Sequence, residues 1–257
     1  MALPQLIVTA LYYACAVGVC ELGRRLGDKI APSYSWLYVE FFATLQRCLL
    51  TLEGFAIFRA YGEMAFLVLL AATVYLTAKT VRDGAGNPTP YIEERLVDKS
   101  ISNQRLYIII GAQIVAALLA FQGARLFWSM GFTSYHQKRL QVAVCNSDLH
   151  VSLLYGMACE FIATFVCRVA EHQLPRWVSE EASLIIECVL ISIIVAIGMD
   201  HTGMYFNPIL AFCLTFGCEG LSNIGHLFVY WVGPVLGWIS ATFLCNMITT
   251  AERPKTE

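Results

Sequence analysis

Short words recur in this chain at one fixed spacing. Glu-Phe-Phe-Ala-Thr fills residues 40–44, and Glu-Phe-Ile-Ala-Thr fills residues 160–164, 120 residues on. Asn87-Pro88 is followed by Asn207-Pro208, again 120 residues on. Gly111-Ala112-Gln113-Ile114 is echoed at nearly the same offset by Val232-Gly233-Pro234-Val235. One such match is chance; three in order at one spacing argue for an internal duplication, so the fold must contain two copies of one unit.

The solvent of that unit follows from hydropathy. The chain is 58% hydrophobic and 14% charged over 257 residues, with mean hydropathy +0.62. Soluble domains run at about 45–50% apolar and 25% charged. Apolar runs bounded by charge, Pro or Gly lie near 5–22, 34–58, 62–81, 104–127, 149–170, 182–199 and 224–248. Each approaches the ~20 residues that cross a hydrocarbon core. Two shorter segments opened by Asn-Pro, about 88–98 and 208–217, are too short to span. Each repeat therefore holds three spans and one short segment. An odd number of spans reverses direction, so the repeats enter the membrane inverted, with their functional site expected at the repeat interface near the midplane. The organisation read from this is an apolar N-terminal helix and basic linker (1–33), a first repeat (34–127), a connecting loop (128–148), a second repeat (149–248) and a tail (249–257). Residues 5–22 have no basic residue ahead of them and no clean cleavage site, so we read them as a retained helix, with a signal peptide as the alternative.

Charge placement orients the chain. The connections 23–33 (Arg24, Arg25, Lys29), 82–105 (Arg82, Arg95, Lys99, Arg105) and 168–181 (Arg168, Arg176) are basic, as is the tail. Basic loops stay cytoplasmic. The first Asn-Pro segment then dips in from the cytoplasm and the second from the other side. The net charge of −2 gives no reason to expect nucleic acid. Of ten Cys, eight sit in apolar segments and read as small membrane-buried hydrophobes. No C-x-x-C pair suggests zinc, and nothing calls for a cofactor.

Asn is a favoured N-cap and Pro a favoured first helical residue, so each Asn-Pro predicts the start of a short helix. A half-helix starting inside a bilayer is tolerated only where its free backbone groups meet protein or line a cavity. Two such ends meeting from opposite faces each carry roughly half a positive charge, repelling cations while neutral solutes pass. The amides of Asn87 and Asn207 would donate to a passing oxygen, and loop carbonyls ahead of them would accept. Glu40 and Glu160, inside predicted spans, are costly there. They read as acceptors for the backbone of the re-entrant loop in their own half, with a proton relay as the alternative. Arg47, seven residues after Glu40 and on the same face, is placed to offset its charge.

The two Asn-Pro boxes, the Glu-x-x-Ala-Thr helix starts, Asp200-x-Thr202-Gly203 and the run from His226 to Pro234 together resemble the major intrinsic protein (aquaporin) family over about residues 34–248. The first box, Asn87-Pro88-Thr89, Cys218 nine residues after Ile209, and Thr133-Ser-Tyr-His136 leading to Cys145 are similar to its unorthodox members, the superaquaporins. The resemblance implies an all-α membrane protein: an inverted repeat of six transmembrane helices and two re-entrant half-helices, with an extra N-terminal helix. It also implies a homotetramer with a pore per subunit, an intracellular membrane such as the endoplasmic reticulum, and permeation of water, glycerol or hydrogen peroxide.

Departures from the family pattern bear on selectivity. The position after the second box, commonly Arg, is Leu210; the other constriction positions fall on Val195, Met204 and near Leu67. All four are apolar, so strict water selectivity is not expected. The second box, Asn207-Pro208-Ile209, carries a β-branched residue where a small one is usual, which would narrow the midplane. Pro90, Glu93, Glu94 and Arg95 make the first half-helix polar and suggest partial unwinding. Cys218 reads as a redox-sensitive or a packing thiol. The readings left open are a passive pore, an ion- or proton-coupled transporter, and a non-conducting scaffold of the same fold; no nucleophile–base or metal spacing points to an enzyme.

Overall fold

The computed structural model describes residues 4–141 and 145–252, with side chains to residue 250. Apart from one bridging pair, Asn146 with Glu219, the described residues form only helices and connections. The long helices are α1 (Gln5–Ile30), α2 (Ser35–Tyr61), α3 (Glu63–Thr80), α5 (Asn103–Ser129), α7 (Leu153–Gln173), α8 (Glu180–Thr202) and a last one. The last helix runs as α10 (Asn223–Leu227), a π-helical turn (Phe228–Val232) and α11 (Gly233–Glu252). Short pieces are α4 (Thr89–Glu93), continued by a π-helical turn over Glu94–Asp98, with α6 (Ser134–Gln141) and α9 (Pro208–Thr215).

Seven helices among the described residues are long and apolar enough to cross a bilayer. Their outward faces expose Leu6, Leu11, Val68, Leu118, Leu119, Ile197 and Met247, which water would reject and lipid accepts. The chain is an integral multi-pass membrane protein. Its architecture is the inverted repeat of six spans and two half-helices, with α1 as an added helix.

Helix starts follow capping chemistry. Ser102, Ser152, Ser179 and Ser222 each accept a backbone N–H from the first turn of the helix they precede. Lipid supplies no hydrophobic drive between helices, so association rests on close approach and polar links. Gly233 and Gly237 provide the first: a Cβ on Gly237 would lie 2.3 Å from the Phe161 carbonyl oxygen, and one on Gly233 2.8 Å from that of Met157. That stripe seats α11 on α7. In the first half α2 packs on α5 and on α1, where Tyr12, Tyr13, Ala16 and Leu50 form a buried cluster.

Two sequence expectations change here. α1 does not stop near residue 22 but continues through Ile30, taking in Arg24, Arg25 and Lys29. Arg24 is fully buried, donates to Gln46 Oε1 (3.0 Å) and the Thr80 carbonyl (2.9 Å), and pairs with Glu21. It is an internal strut between α1, α2 and α3, not a free loop charge. The first half-helix is not unwound. Pro90 falls in its first turn, where no N–H is needed, and the helix continues through Asp98 to Lys99 in the left-handed region (φ 54°). Glu93, 7% exposed, accepts from Arg168 (3.0 Å) and from Trp238 Nε1, tying this half-helix to the second repeat.

Candidate functional site

The site is built from two loops that precede α4 and α9. In each, the Asn side chain caps its own half-helix: Asn87 Oδ1 accepts from Thr89 N (3.1 Å) and Asn207 Oδ1 from Ile209 N (2.9 Å). Each amide nitrogen is thereby turned away from its helix. Asn207 Nδ2 donates to the Gly86 carbonyl at 2.6 Å, so the two re-entrant segments touch at their N-terminal ends. Pro88, Pro208 and Ile209 are buried, Thr89 is 1% exposed, and Thr89 Oγ1 has no partner among the described residues.

Behind each loop stands a carboxylate. Glu40 Oε2 accepts from Ala85 N (2.8 Å) and Tyr91 OH (2.6 Å); its Oε1 accepts from Gly86 N (2.8 Å) and Gln113 Nε2 (2.6 Å). Glu160 Oε1 accepts from Thr202 OH (2.8 Å) and Tyr205 N (3.2 Å), and its Oε2 from Phe206 N (3.0 Å). The correspondence is position for position at the 120-residue spacing: Glu40 with Glu160, Ala85 with Tyr205, Gly86 with Phe206. The residue before each Asn also adopts the left-handed region, Gly86 at φ 57° and Phe206 at φ 54°. For Phe206 that conformation is strained by about 1–3 kcal/mol, and the bond to Glu160 helps to hold it.

Two cavities approach these loops. One, about 470 Å³, is lined by Asn87, Asn207, Leu210, Met204, Arg47 and Thr164, and extends to Arg82 and Arg168. The other, about 800 Å³, is lined by Arg59, Lys138, Asp148 and His150 among others. Phe55, Phe66, Val195 and Gly203 line both cavities. Val195, Met204 and Leu210 thus line a cavity. Leu67 lines neither; it packs beside Phe66 in an apolar cluster with Ala163, Val195 and Met204. Phe66, one residue earlier, turns inward, because neighbouring helical residues point about 100° apart. Phe55 stands in an apolar run with no motif or repeat to single it out. Its partner is Phe66, whose ring stacks on it at 5.7 Å.

Other side chains behave differently from expectation. Arg47 makes no ion pair with Glu40 among the described residues; Glu40's oxygens are already taken by four donors. The Gly86 carbonyl, expected to face the path, is occupied by Asn207. Cys218 is not a free thiol: it is disulfide-bonded to Cys145. Backbone bonds Ser147 N to the Glu219 carbonyl (2.8 Å) and Glu219 N to the Cys145 carbonyl (2.9 Å) extend that link between the two loops.

One polar centre went unnoticed in the sequence. Glu53, on α2, is fully buried and accepts from Thr9 OH (3.1 Å), Gln5 Nε2 (3.2 Å) and Trp128 Nε1 (2.9 Å), with His136 Nε2 at 3.1 Å. It joins α1, α2, α5 and α6. The signal was an acidic residue inside an apolar run, as for Glu40 and Glu160, but without a repeat partner to draw attention to it.

The model of the major intrinsic protein family matches residues 35–245. Aquaporin-11 of Milnesium tardigradum is 26% identical over 239 residues, covering 92% of this chain and 86% of that relative. Aquaporin-12 of Mus musculus is 28% identical over 259 residues, covering 93% and 85%. Among solved structures, the aquaglyceroporin from Plasmodium falciparum aligns with a TM-score of 0.58 at 17% identity, over 85% of this chain and 96% of that one, a likeness of fold. With the inverted repeat and the paired half-helices already in place, a match of this extent means that the chain belongs to the major intrinsic protein family, whose members are membrane channels and not enzymes.

Proposed function

We infer that the chain is a passive channel for water and small neutral solutes, glycerol and hydrogen peroxide among them, along a path lined by the two Asn-Pro boxes. The observation that carries this reading is the contact between Asn207 and Gly86, which brings two half-helix N-termini together beside a cavity lined by both Asn residues. Helix ends so placed disfavour cations, and amide donors offer transient bonds to an oxygen. The lining common to the two cavities is apolar in Phe55, Phe66 and Val195, with Met204 and Leu210 on the smaller one. Such a wall gives water no replacement for its hydration, which supports solutes larger and less polar than water. Glu40 and Glu160 act in this reading as supports for the two loops. The disulfide lies in the loops on the side opposite the basic connections, and disulfides persist in oxidising compartments. That supports a cytoplasmic tail and a first half-helix entering from the cytoplasm. The homotetramer and the endoplasmic reticulum rest on the resemblance to superaquaporins.

The test is osmotic. Proteoliposomes given a hyperosmotic step should shrink faster than lipid alone, and side-by-side uptake of glycerol and hydrogen peroxide ranks the solutes. Asn207→Asp, placing a carboxylate at the meeting point, should abolish that flux. Shrinkage at the lipid-only rate for every solute would favour the scaffold reading, which the apolar Phe55–Phe66 lining also fits. Saturating flux that changes with pH would favour a coupled transporter.

A further inference from the structure

Arg47, on α2 one turn before Thr51, lines the 470 Å³ cavity together with Asn87, Asn207 and Leu210. Its Nε is buried without a hydrogen-bond partner, and no ion pair reaches its guanidinium among the described residues. Arg24, Arg82 and Arg168 each end on carboxylates: Arg24 on Glu21, Arg82 on Glu21 and Asp28, Arg168 on Glu93 and Glu171. Glu40 does not serve Arg47 in this way. Gly86 stands between them: its N–H donates to Glu40, while a Cβ built on it would lie 3.0 Å from Arg47 Nε.

A cation taken out of bulk water without a partner is costly, and the partner has to come from the cavity. The acidic residues that line this cavity, Glu171 and Glu187, are bonded to Arg168 and to the Ser183 hydroxyl. Around Arg47 the lining is instead Thr51, Asn87, Asn207 and Leu210, at the start of α9, whose N-terminal end carries partial positive charge. The geometry points to a binding site for a small inorganic anion, of the halide or nitrate class, held in the lumen by the Arg47 guanidinium beside the N-terminus of α9. The planar fork of donors suits nitrate in particular. Binding at this site is independent of whether the path conducts, so it stands apart from the channel reading.

The experiment is chloride-35 NMR line broadening on the purified full-length protein in detergent, with sodium gluconate holding ionic strength constant. Wild type should broaden the chloride line saturably, and added nitrate should displace the effect. Arg47→Gln should weaken chloride binding at least about tenfold, because a full charge is lost at contact distance; Arg47→Lys should retain it; Arg59→Gln, on the other cavity, should leave it unchanged. Wild type without saturable, nitrate-sensitive broadening overturns the site, as does undiminished broadening in folded Arg47→Gln. Should Arg47→Gln not fold, Leu210→Asp decides: a carboxylate in the same cavity should abolish the broadening, and its persistence there overturns the assignment. Osmotic flux in the same preparation reports on the channel reading separately.

Discussion

Replacing Glu40 by Gln changes one oxygen into an amide nitrogen and removes one charge, with almost no change of shape. Each carboxylate oxygen of Glu40 accepts one backbone N–H, from Ala85 and from Gly86, both at 2.8 Å. A carboxamide has a single oxygen, so whichever way it is turned, one of these N–H groups faces another donor. Tyr91 and Gln113 can turn to present an oxygen; a backbone amide cannot. A buried donor left unsatisfied costs about 1–3 kcal/mol, and each remaining bond to a former anion weakens by about 1 kcal/mol. Relief of the buried charge's desolvation offsets part of that. The net loss comes to about 2–3 kcal/mol, which for a chain of 150–250 residues lowers the melting temperature by about 5–10 °C. Glu160→Gln should behave alike, since Tyr205 N and Phe206 N are divided between its two oxygens in the same way. Melting of the purified proteins in one detergent is the assay. Variants that melt within a degree of wild type, or above it, would refute the claim that the carboxylates hold the loops.

Gly237→Leu should prevent α11 from seating on α7, because even a Cβ there would lie 2.3 Å from the Phe161 carbonyl oxygen; loss of a monodisperse peak on size exclusion checks it. Cys145→Ser removes a cross-link across 73 residues, worth at most about 4 kcal/mol by loop entropy and less where inserted helices already restrain the loop. The variant should melt several degrees lower, and reductant should shift wild type but not the variant. Glu53→Ala strips the shared acceptor of Gln5, Thr9 and Trp128, at about 1–3 kcal/mol for each donor left unsatisfied, and should free α1 and α6 to proteolysis while the two Asn-Pro loops stay protected. Phe66→Ala should widen the zone between the cavities and raise glycerol flux relative to water, whereas Leu67→Ala should leave that ratio unchanged.

The topology is legible in the order of the amino acids. Words repeated at a 120-residue spacing, seven apolar runs and two Asn-Pro segments too short to span leave little choice but an inverted pair, because hydrocarbon forbids unpaired backbone and an odd number of spans reverses direction. Glu40 and Glu160 stood out for the same reason, as charges that lipid would not tolerate alone. Which side chains meet depends on how segments distant in the chain pack together. Helix rotation put Phe66 rather than Leu67 on the lining shared by the two cavities, and a single residue of register is beyond what an apolar run records. Two Cys far apart in the chain became a disulfide because two loops were laid side by side. Arg47 was left without the carboxylate seven residues before it because four other donors reached that carboxylate first. Spacing along a helix fixes which residues share a face, but the contents of that face come from segments elsewhere in the chain.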